Sequence, residues 1–61
     1  MEVIEVDFSP TQKLPDGYKV AWYECDEHYH WLFGDQESEA FSSRWQARRS
    51  AISHFKITKN V

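Results

Sequence analysis

Two runs of alternating large side chains constrain this chain more than anything else in it. Tyr18, Val20 and Trp22 stand at every second position, and Tyr29, Trp31 and Phe33 repeat the pattern. A period of two is the signature of a strand with one buried face. The polar stretch Cys25-Asp26-Glu27-His28 separates the runs, so the spacing predicts a β-hairpin over 18–35. With Asp26 and Glu27 as a two-residue loop, Trp22 pairs with Trp31 and Val20 with Phe33, and all six large side chains share one face. A slip of one residue would divide them between the two faces, so the pattern selects against it.

The N-terminal segment 2–8 also alternates. Ile4, Val6 and Phe8 fall on one side, with Val3, Glu5 and Asp7 on the other. Stiff Val and Ile side chains favour a strand here. Ser9-Pro10 ends it, because proline has no N–H for a ladder. Pro15-Asp16-Gly17 is a turn signal before the hairpin. Gln36 to Glu39 reads as a loop or as a short edge strand ending in Ala40-Phe41.

Ser42 or Ser43 is a good N-cap, and no Gly or Pro follows through Lys56, so a helix is expected at about 43–56. At roughly 100° per residue, Trp45, Ala47, Ala51, Ile52 and Phe55 form its apolar arc, with Ser50, Ser53 and His54 on the other side. Ile57 to Val61 reads as a fraying tail or a last strand. The helix stripe and the aromatic hairpin face each need a cover. Together they predict a small α+β domain spanning 1–61: a three-stranded antiparallel sheet, made of strand 2–8 and hairpin 18–35, under one C-terminal helix.

At 61 residues such a chain buries little core, and its single cysteine excludes an internal disulfide. Ten aromatic residues are the available substitute, each burying about 150–250 Å². The sequence shows no secretory leader pattern and no apolar run near the roughly 20 residues of a membrane span. The lone thiol fits a reducing cytoplasm, and the chain reads as a complete small protein.

Charge is strongly segregated. Positions 1–41 hold all ten acids against Lys13 and Lys19, a balance of −8. Positions 42–61 hold Arg44, Arg48, Arg49, Lys56 and Lys59 with no acid, a balance of +5. Either a basic helix lies on an acidic sheet and the two sets offset each other, or one face stays uncompensated and steers a partner. On the wheel Arg44 and Arg48 point into the apolar arc, so each must snorkel over Trp22 or Trp31, pair with a sheet acid, or join Arg49 and Lys56 in gripping a carboxylate or phosphate. Rotating the helix would also expose Trp45 as an anchor. The acids Glu24, Asp26, Glu27, Asp35, Glu37 and Glu39 form the complementary candidate surface.

Cys25, His28 and His30 have zinc-ligand chemistry, but a tetrahedral site needs a fourth donor and the paired spacing of zinc modules is absent. No nucleophile, phosphate-binding loop or cofactor motif accompanies these histidines. The reading is therefore a non-enzymatic protein without cofactor that acts through a protein partner, in the manner of the small inhibitors and regulators that phages and mobile elements encode. The alternative is a nucleic-acid module using the basic helix. The strand order followed by a helix is similar in outline to the arm-binding domains of some integrases, but such modules read DNA with their strands, and here the strands are acidic. A third class is an assembly subunit that dimerises through edge 2–8 or 37–41.

Overall fold

The computed structural model describes residues 2–59. The chain is α+β: β1 (Val3–Val6), β2 (Tyr18–Tyr23), β3 (His28–Phe33) and β4 (Gln36–Glu37) precede one helix, α1 (Arg44–Lys59). The strands form one antiparallel sheet in the order β1-β2-β3-β4. The sheet thus has four strands and not three. The extra one follows from Gly34-Asp35, a two-residue turn in which Gly34 takes φ +60° at the first central position and lets the chain double back.

The hairpin keeps its six large side chains on one face, but its register differs by two residues from the expected one. Tyr18 pairs with Phe33, Val20 with Trp31 and Trp22 with Tyr29. The connection is a four-residue turn, Glu24 to Glu27, and not a two-residue loop. It is closed by a Glu27 N–H donating to the Tyr23 carbonyl at 2.8 Å, with Glu27 in the left-handed region at φ 54°. Asp26 supports it, its Oδ1 accepting the His28 N–H at 3.0 Å. A slip of two preserves every face, so alternation is blind to it.

β1 is shorter than the expected 2–8. The chain leaves the sheet after Val6, and Phe8 instead packs edge-on against Trp45 with ring centres 5.5 Å apart. A short 3-10 turn at Pro10–Gln12 follows. Tyr18 N–H then donates to the Pro15 carbonyl at 3.1 Å across Asp16-Gly17, where Gly17 has φ +87°, the backbone that a type II turn demands.

Ser43 caps α1, its Oγ accepting the Gln46 N–H at 3.2 Å, while Gln46 Oε1 accepts from the Ser42 N–H and hydroxyl. The helix runs on through Lys59, past the expected end near 56. Residues 57–59 are therefore helical and neither tail nor strand, and Asn60 and Val61 lie outside the described residues.

The helix is rolled by roughly 80° from the orientation its apolar arc implied. Ala47 and Ala51 are fully buried over Val20 and Trp31. Ser50 and His54, expected on the outer side, face the sheet. Trp31 Nε1–H donates to Ser50 Oγ at 2.9 Å, and the Tyr18 hydroxyl shares a 2.5 Å hydrogen bond with His54 Nδ1. The His54 ring lies 4.6 Å from that of Trp31. Trp45, expected in the core, is 51% exposed, and Ile52 is half-buried. The reason is chemical: buried Trp and Tyr carry polar tips that need partners. Two alanines let the helix come close while a serine and a histidine supply those partners.

Candidate functional site

Four features of this fold stand apart from core packing: the outer helix face, the polar cluster on the open sheet face, the edges of the sheet, and a groove beside β1.

The roll of α1 turns Trp45, Arg49, Ile52 and Lys56 outward. Their spacing of four, three and four residues makes one stripe along the helix. Arg44 is exposed, and Arg48 is half-buried at the flank. Arg48 lies neither over Trp22 or Trp31 nor against an acid, since its Nε–H donates to the Gln12 carbonyl at 2.9 Å and ties the 3-10 turn to the helix. Among the described residues, no lysine or arginine lies within 4.0 Å of a carboxylate; the ion pairs present all involve His30. Among the described residues, the acidic and basic halves of the chain are therefore not joined by direct ion pairs.

The acids expected as one surface are divided. Glu24, Asp26 and Glu27 occupy the β2–β3 turn, Asp35 lies at the opposite end of β3, and Glu37 and Glu39 return along the β4 side. The β4 side carries a bulge. Ser38 bonds to Trp31 and Phe41 to Tyr29, which leaves Glu39 and Ala40 opposite the single residue His30. The bulge turns the Ser38 carbonyl onto His30 Nδ1 at 2.8 Å, and Ser38 Oγ accepts the Trp31 N–H in its place.

His30 is the best-built polar group of the chain. It is 6% exposed although it sits on the face away from the helix. Its Nε2 meets Asp26 Oδ2 at 2.7 Å, Glu37 lies 3.9 Å from Nδ1, and the Tyr23 ring packs 4.5 Å away. A carbonyl and a carboxylate can only accept, so the arrangement favours a proton on both ring nitrogens, the imidazolium form. Burial alone would lower its pKa, but the Ser38 carbonyl and the Asp26 carboxylate outweigh it and raise the value above the usual 6.5. The hydrogen bond to His30 holds Asp26 below its usual 3.8. Burial, then the charge of Glu37, pushes the Tyr23 phenol up. With both nitrogens engaged, His30 has no lone pair to offer as a base.

The three candidate metal donors are not brought together. Cys25 is exposed in the turn, and His28 Nδ1 hydrogen-bonds the Asp26 carbonyl. His30 is committed as above. Among the described residues, no group of three or more His, Cys, Asp or Glu side chains is placed to hold a metal ion. No helix among them is long and apolar enough to cross a membrane.

Beside β1, Ile4, Trp22 and Tyr29, with Val6, Asp7 and Arg44 from the start of α1, line an open groove of about 370 Å³. Sequence reasoning missed this groove and the Ser38 carbonyl. Backbone groups and the end of a helix relative to a sheet leave no side-chain pattern to read. No family model matches the chain, and no curated protein or solved structure does either.

Proposed function

We propose that this protein is a non-enzymatic binding module that docks onto a protein partner through the outer stripe of α1. The observation that carries the reading is Trp45, half exposed on a helix that has three arginines and no acid within its first turns. A large amphipathic ring beside guanidinium groups is the chemistry of interface anchors. The ring is held in place by Phe8, so little order has to be acquired on binding. The cations around it are not paired within the fold, which suits a partner surface rich in carboxylates. The commitment of both His30 nitrogens supports the non-enzymatic part of the reading. An inhibitor or regulator of a larger protein is the role that such a module fits.

The test is affinity capture from the source cell with the native chain and with a Trp45→Ala, Arg49→Glu variant. The expected result is a partner retained by the first and lost by the second at equal helical content. Capture unaffected by the double change would refute the helix face as the contact. Retention on DNA at low salt, abolished by the same change, would move the function to nucleic-acid binding.

A further inference from the structure

We infer that the free edge of β1 is a second docking site, which takes an extended, basic segment of a protein partner as an added strand. β1 is terminal in the sheet, and no described strand pairs with its outer edge. The phase of the ladder says which groups that edge offers. Glu24 N–H donates to the Glu2 carbonyl at 2.9 Å, so residues 2, 4 and 6 point their backbone groups at β2. Alternation then turns the N–H and C=O of Val3 and Glu5 outward, a ready template for one more strand.

The side chains flanking this edge ask for a cover on both faces of the sheet. Val3 is 47% exposed on the open face, and Ile4 is 49% exposed on the helix-side face. Ile4 opens into the groove floored by Trp22 and Tyr29, with Arg44 at its rim. A strand laid along β1 places one side chain beside Val3 and sends its neighbours over Ile4 toward that groove. Apolar residues over Ile4 remove that side chain from water, and a lysine beside Val3 covers it with its methylene stem while its ammonium reaches toward Glu5.

Charge decides which strand it is. Glu2, Glu5 and Asp7 bring three carboxylates to six residues, and among the described residues none of them meets a lysine or arginine within 4.0 Å. A second copy would bring the same three. Pairing about a two-fold axis would then set six like charges along one ladder, with Glu5 directly opposite its own copy when the two strands centre on that residue. The edge therefore repels its own kind, and the strand that complements it alternates Lys or Arg with apolar residues. This site is separate from the helix stripe, and its success or failure is independent of Trp45.

The probe is a synthetic octapeptide of alternating valine and lysine, added to the full chain at low salt and followed by amide hydrogen exchange. Two control peptides are used: one with glutamate for lysine, and one of the same basic sequence N-methylated at every residue, which has no N–H to form a ladder on either edge. The expected result is exchange slowed at least about tenfold at Val3 and Glu5 by the basic peptide alone. Glu5→Lys should abolish it. Equal protection by the N-methylated peptide would reduce the effect to simple charge attraction and overturn the proposal. So would absence of protection at millimolar peptide, or protection confined to α1. Sedimentation at two concentrations should show a monomer; a dimer whose formation protects Val3 and Glu5 would overturn the choice of occupant.

Discussion

Ser50→Ala is the sharpest probe of how the helix lies on the sheet, because two orientations of α1 predict opposite signs. If Ser50 faced solvent, alanine would improve helix propensity by about 0.3–0.5 kcal/mol and raise stability. In the structure Ser50 Oγ accepts the indole N–H of Trp31, a residue only 7% exposed. Alanine would orphan that donor, at about 1–3 kcal/mol. After the propensity gain, a net loss of about 0.5–2.5 kcal/mol remains. For a domain of this length each kcal/mol moves Tm by about 4–8 °C, so the expected fall is roughly 2–20 °C. Thermal unfolding followed by far-ultraviolet circular dichroism measures it. Ser53→Ala, on the exposed side, is the control and should be neutral or slightly stabilising. In a Trp31→Phe background, where no indole N–H exists, Ser50→Ala should also become neutral or stabilising. A single Ser50→Ala variant that melts at or above the native protein would refute the observed roll of the helix.

Other outcomes follow from the same contacts. Val20→Ala removes two methyl groups from a fully buried side chain and should cost about 2–3 kcal/mol, read by urea titration with unchanged slope. Gly17→Ala should destabilise clearly more than Gly34→Ala: both have positive φ, but a Cβ at Gly17 meets Phe33 Cε1 at 2.9 Å, whereas at Gly34 nothing lies within 4 Å. A strain of about 1 kcal/mol is expected at Gly34 alone, and thermal melts of the pair give the order. The His30–Asp26 pair makes stability depend on pH at both ends. The raised pKa of His30 contributes fully below its usual 6.5 and is lost as pH rises through the folded value, while the lowered pKa of Asp26 contributes above 3.8 and is lost as pH falls through its folded value. Tm should therefore be highest between about pH 4 and 6.5 and decline on either side. Asp26→Asn should flatten the alkaline decline; an unchanged profile would show that the pair does not form.

Alternation of Tyr18, Val20, Trp22, Tyr29, Trp31 and Phe33 was enough to determine a hairpin with one aromatic face, since period two admits no other regular structure with all six on one side. The turn at Gly17 and the serine cap of α1 were equally local, because φ > 0 and free first-turn amides belong to a few adjacent residues. The segregation of charge was legible as well. Tertiary structure alone decided the pairing within the hairpin, because a slip of two leaves the face pattern intact, and the choice was made by Glu27 in a left-handed conformation with Asp26 bonded to the His28 amide. It also decided which side of α1 is buried. Hydrophobicity placed Trp45 inside and Ser50 and His54 outside, whereas packing chose two alanines for close approach and two polar residues to satisfy Trp31 and Tyr18. The surroundings of His30 were hidden for the same reason: its acceptors are a bulge carbonyl and a carboxylate across a turn, and only the folded chain brings a backbone oxygen to a side chain eight residues away.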